Sequence, residues 1–194
     1  MKLHPTLALA AFALMSTPAF AHVGKMAAGF DSGSAFAAGL AHPLTGADHL
    51  LAMAAVGVWA GRCGGKARWV WPLAFVTSMI AGGALAMAGF ALPMVEQGIL
   101  ASVLALGLAL SLGFKAPLSL GAGLIALAGL CHGFAHGAEA PISGSGAVYV
   151  AGFVLATASL HAVGLSLASS PRLARFAGLA TLISGAALGL GASL

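Results

Sequence analysis

The sequence predicts an all-α fold, a polytopic bundle of six transmembrane spans after a cleavable signal peptide. Three observations lead there. The chain is 60% apolar and only 6% charged over 194 residues, whereas ordinary globular chains are about a quarter charged. Mean hydropathy is +1.04. The apolar residues fall into runs near the ~20 residues that cross a bilayer, and 28 glycines supply the small contact residues that let membrane helices approach closely.

Residues 1–21 read as the signal peptide. Lys2 is the basic start, Leu7 to Met15 the apolar centre, and Ala19-Phe20-Ala21 the small-x-small cleavage site. Cleavage makes His22 the mature N-terminus and leaves 22–194 as a single six-helix domain. Asp31 to Ala41 is amphiphilic and reads as an interfacial or re-entrant lead-in to the first span. The six spans follow as Pro43–Gly61, Trp69–Leu92, Met94–Phe114, Pro117–Gly137, Gly146–Ser169 and Leu173–Leu190. Arg62-Cys-Gly-Gly-Lys66 is a turn, Pro93 and Glu96 divide two spans, and Pro171 opens the last helix. Gly129, Gly133 and Gly137 recur every fourth residue, as do Gly185 and Gly189, marking seams of close helix contact.

Charge sets the orientation. Arg62, Lys66, Arg68, Lys115, Arg172 and Arg175 all fall in alternate loops, while Lys25 stands alone on the other side. The positive-inside rule then places those loops in the cytoplasm and both mature termini in the periplasm, as expected for a multi-pass protein of a bacterial inner membrane. The pI near 9.6 is therefore a topology signal, and nucleic-acid binding is excluded as a function. No phosphate-binding loop occurs, so no ATPase domain is expected, and no prosthetic group either.

Against this apolar background, imidazoles and carboxylates stand out. Ionisable groups inside a span are costly unless satisfied, and by default they mark a site or a pathway. The first cluster is His42, Asp48 and His49. Pro43 suits the first turn of a helix, which puts His42 at the N-cap boundary. On a continuous helix His42 and His49 share a face about two turns apart, too far for one ion at ~2 Å ligand distances. Either the helix start is unwound, or each histidine serves a separate station. Asp48 either ligates or orients His49 from behind. Met53, one turn beyond His49, is a lesser candidate.

The second cluster is His132, His136 and Glu139, at i, i+4 and i+7 along the end of the fourth span. Two histidines one helical turn apart form a recurrent metal-binding pair. Both clusters fall toward the same face of the bilayer, so a shared site for a divalent cation follows. His22 and His161 are lesser candidates. His161 lies deep in the fifth span, either as a later station or as a core histidine bonded to a hydroxyl or carbonyl, with Thr157 as the candidate partner. Cys63 and Cys131 stand at opposite ends of the bundle and cannot form a disulfide.

The motifs His42-Pro43…Gly46…Asp48-His49 and His132-Gly133…His136-Gly137…Glu139 resemble those of the HupE/UreJ family, hydrogenase and urease accessory membrane proteins that act as nickel or cobalt permeases. The resemblance covers essentially the whole chain. It implies a secondary transporter rather than an enzyme, taking up Ni²⁺ or Co²⁺ for metalloenzyme maturation, with the residues of both motifs recognising and passing the metal. Two other readings stand beside it. One is an intramembrane metal-dependent hydrolase with Glu139 as base. The other is a structural assembly factor whose polar residues join helices.

Overall fold

The computed structural model describes residues 32–139 and 146–191, and every element in them is helical. The signal-peptide reading, His22 and Lys25 lie outside the described residues, as do the side chains of Asp48 and Glu139. The helices are α1 (Ser32–Thr45), α2 (Ala47–Cys63), α3 (Ala67–Met87), α4 (Val95–Leu112), α5 (Leu118–Glu139), α6 (Gly146–Leu167) and α7 (Pro171–Gly191). Five of them, α3 to α7, are long and apolar enough to cross a membrane. Each of the six expected spans corresponds to one helix from α2 to α7, with shifted ends. The chain is therefore a multi-pass helical membrane protein.

The surface is inverted relative to a soluble bundle. Trp69, Leu73, Ile183 and Leu190 are each more than half exposed on the outer faces of α3 and α7. Apolar side chains face outward because their solvent is lipid, so nothing drives them inward. Contact between helices depends instead on close backbone approach. A Cβ at Gly133 would fall on the Met79 carbonyl, and one at Gly137 on the Gly83 carbonyl. The predicted seam of α5 is therefore the surface that meets α3. On α7, Gly178 approaches the backbone of α4 at Leu110 and Ser111, and Gly185 and Gly189 receive the side chains of Val103 and Leu100.

α2 occupies the centre and touches α1, α3, α4, α6 and α7. Its 17 residues rise about 25 Å, short of a full hydrocarbon core. From Leu51 to Ala60 nearly every side chain is buried. Gly57 and Gly164 bring it against α6, where a Cβ on either residue would strike the partner helix's backbone.

One end of the bundle is fastened by tryptophans. Trp59 and Trp71 pack with centroids 4.6 Å apart and planes tilted by 44°, and their indole N–H groups donate to the carbonyls of Phe114 (2.8 Å) and Leu118 (3.0 Å). Arg62 donates to the Ala168 carbonyl at 3.4 Å. These contacts gather the α2–α3, α4–α5 and α6–α7 connections, and with them all the expected cytoplasmic basic residues, at one end. Gly64 and Gly65, with φ of 73° and 50°, make the α2–α3 turn that a side chain would strain.

The structure corrects the start of the first span. Pro43 does not open a helix but lies in the last turn of α1. The segment before it is apolar and packs on α6, where a Cβ at Gly39 would meet the Tyr149 carbonyl and one at Gly152 the Phe36 carbonyl. That contact draws residues 32–45 into a helix of their own. Glu96 likewise lies within the first turn of α4, where a carboxylate favours the helix dipole, and the α3–α4 break itself is residues 88–94.

Candidate metal centre

The chain breaks between α1 and α2. Gly46 is extended, with φ −94° and ψ 119°. The Thr45 hydroxyl donates to the His42 carbonyl at 2.8 Å, occupying an acceptor that a continuing helix would use. Gly46 then accepts from the Leu50 N–H at 3.0 Å and starts α2. Pro43 contributes by lacking the N–H that would bond back to Gly39.

The break decides where the histidines go. Seven residues of straight helix would separate His42 and His49 by about 10 Å along the axis. Here their ring centroids are 6.2 Å apart. Of the two expected arrangements, unwinding is the one found. His42 is accordingly inside the last turn of α1 rather than at an N-cap.

The end of α5 projects onto the same point. The His136 ring lies 4.7 Å from that of His42 and 4.4 Å from that of His49. His132, one turn earlier, lies 5.4 Å from His49. His42, His49 and His136 each offer a ligand nitrogen, and these nitrogens all lie within 4.8 Å of one another. At metal–nitrogen bonds of ~2.0–2.1 Å, two ligands on opposite sides of an ion stand about 4 Å apart. Small ring rotations would close the trio on one cation.

Burial sharpens the reading. His136 is 5% exposed, and among the described residues neither of its ring nitrogens has a hydrogen-bond partner. A buried polar atom left in that state costs about 1–3 kcal/mol, so it asks for a ligand. Phe153 packs against His136 at 4.4 Å with the planes tilted by 47°, and Tyr149 closes on His42 at 6.1 Å. These aromatics of α6 wall the cluster and would exclude water. A cavity of about 90 Å³ lies beside His136, between α3, α5 and α6, with Met79, Met87 and Tyr149 in its lining.

His132 is fully buried, and its Nδ1 lies 2.8 Å from the Ala128 carbonyl. A carbonyl can only accept, so Nδ1 carries the proton and Nε2 the lone pair. Metal-binding histidines are commonly fixed in this way.

The remaining candidates divide. The backbones of Asp48 and Glu139 sit at the start of α2 and the last residue of α5, beside the ring cluster in sequence. Met53 and His161 are buried below it and touch each other, His161 Nδ1 donating to the Met53 carbonyl at 2.7 Å. His161 therefore takes a carbonyl, not the Thr157 hydroxyl, because Gly57 and Gly164 let α6 reach the backbone of α2. Cys63 and Cys131 are free thiols. The sequence reading missed the aromatic wall of Tyr149 and Phe153, since aromatics in a span carry no signal apart from the partners that tertiary contact gives them.

Comparison with known proteins shows the family. A family model described as HupE / UreJ protein matches residues 9–193. The chain is 46% identical over 192 residues to Protein HupE of Rhizobium leguminosarum bv. viciae, covering 96% of this chain and 97% of that one. No solved structure matches.

Proposed function

The chain belongs to the HupE/UreJ family, and on that premise we propose that it is an inner-membrane permease for Ni²⁺, or Co²⁺, supplying metalloenzyme maturation. One observation carries the reading: three imidazoles from three helices converge, and one of them is buried with neither nitrogen partnered among the described residues. Neutral imidazole is a good ligand for nickel, cobalt, zinc and copper alike. The choice of nickel or cobalt comes from the family.

The proposed path starts at the histidine end of the bundle. The basic loops gather at the opposite end, which the positive-inside rule assigns to the cytoplasm. The cluster then faces the periplasm, and both mature termini with it. A hydrated dication would exchange water for His42, His49 and His136, with His132 as a further donor. Asp48 and Glu139 would offset its charge, which in a low-dielectric interior is a large effect.

The test is metal accumulation by cells expressing the protein, with Asp48→Asn and His49→Ala as controls matched for membrane abundance. Nickel or cobalt should rise over empty-vector cells, and the variants should lose the gain. Wild-type accumulation in the variants would remove these residues from the pathway. Unchanged metal content with altered protein stability would favour the assembly-factor reading. Acid should also suppress uptake. Only the deprotonated ring nitrogen ligates, so protons compete with the metal, and initial rates should fall as the external medium is acidified. A rate indifferent to acid across the whole range in which the protein stays folded would argue against histidine ligation.

A further inference from the structure

Below the histidine cluster, α2, α3 and α6 bring together a second set of lone pairs. Met53, Met79, Thr157 and His161 are all at most 3% exposed. The Thr157 hydroxyl lies 3.0 Å from the Phe153 carbonyl, 3.4 Å from the Met53 sulfur and 3.8 Å from the Met79 sulfur. It has one proton for these three acceptors. The carbonyl is the strongest and nearest of them, so the proton points there. The thioethers are left facing oxygen lone pairs with no proton between.

His161 adds to the excess. Its bond to the Met53 carbonyl fixes the proton on Nδ1 and the lone pair on Nε2. That Nε2 is buried and has no hydrogen-bond partner among the described residues. Packing alone accounts for two methionines. It does not account for a buried imidazole held so that one nitrogen is bare. Nitrogen, oxygen and sulfur donors thus outnumber the protons available to them, and a cation is what such a set lacks.

Building on the permease reading above, we propose that Met53, Met79, Thr157 and His161 form a second cation station inside the bundle, one that accepts borderline ions such as Ni²⁺ and Co²⁺ and refuses hard ones such as Mg²⁺. Thioether and imidazole suit the former, whereas Mg²⁺ demands oxygen ligands and parts with water reluctantly. The location suits passage. Met53 is one turn past His49, and Met79 also lines the cavity beside His136. The Phe75 ring touches both levels, 5.6 Å from His132 and 5.2 Å from His161. An ion leaving the upper trio would meet sulfur before it met His161.

The experiment uses the full-length protein in proteoliposomes and in detergent, comparing wild type with Met53→Leu/Met79→Leu and with His161→Asn. The leucines conserve volume. Asparagine keeps an N–H for the Met53 carbonyl and removes the imidazole Nε2. Nickel transport should fall on the order of tenfold or more in both variants, while equilibrium nickel binding at the upper cluster persists. Excess Mg²⁺ should inhibit the leucine variant more than wild type. X-ray absorption at the nickel edge should show sulfur ligation in wild type that the leucine variant loses. Wild-type rates and discrimination in both variants would overturn the station. A wild type that transports no nickel would instead sink the permease reading, and the absorption spectrum would still decide this one, since nickel bound without sulfur ligands refutes it.

Discussion

His136→Ala is expected to weaken nickel binding by on the order of 100-fold or more, exceeding the 10- to 100-fold typical for loss of a supporting group behind a ligand. His136 is the hinge of the cluster, its ring lying within 4.7 Å of those of both His42 and His49. Without it, two imidazoles remain on either side of a break at Gly46, and nothing from α5 joins them except the more deeply set His132. Stability should move the other way. A buried imidazole with neither nitrogen partnered among the described residues burdens the metal-free fold, so its removal should leave thermal unfolding of metal-free protein unchanged or slightly raised. The strain would be retained because the site needs it. Titration calorimetry in detergent, paired with melting curves, checks both halves. Wild-type affinity in His136→Ala would show that the cluster is not where the metal binds.

Gly133→Ala should be strongly damaging although it adds a single methyl group. Its Cβ would overlap the Met79 carbonyl, with the Met79 carbonyl carbon at 2.6 Å and Cα at 2.7 Å. These are backbone atoms of α3 and cannot rotate aside, so the two helices must part. Overpacking typically costs about 1–3 kcal/mol, and the top of that range applies because no side chain can yield. Parting α3 from α5 also displaces His132 and His136, so metal binding should fall with stability. Gly123→Ala is the matched control. It lies on the same helix with nothing within 4 Å of the added atom, and alanine favours helix by about 0.8–1 kcal/mol over glycine. It should be neutral or stabilising in a thermal melt. Equal effects of the two substitutions would refute the seam as the basis of α3–α5 contact.

The same seam shows how far the sequence can be read. Glycines every fourth residue on α5 announce a close contact because only a missing Cβ permits it, and the contact is there. Which helix lies against it is not written in α5, since Met79 and Gly83 of α3 have no local mark of being the partner. Pro171 at the head of α7 and the Gly64–Gly65 turn were legible for a related reason, as their backbone chemistry acts within a few residues. Pro43 misled for the complementary reason. A proline suits the first turn of a helix, but here the packing of residues 32–42 on α6 forms a helix upstream of it, and the proline marks an end. His161 shows the same limit. A hydroxyl one turn away is the nearest partner in sequence, and the Met53 carbonyl of another helix is the one it uses.

Composition and periodicity by themselves determined that this chain is a helical membrane bundle and that two groups of histidines fall at the same end of it. Those properties follow from the free energy of single segments in lipid and from charge in the loops. The tertiary structure alone decided that His42, His49 and His136 meet at one point. That meeting depends on a bend at Gly46 and on the rotation of α5 against its neighbours, and both are set by contacts between residues far apart in the chain.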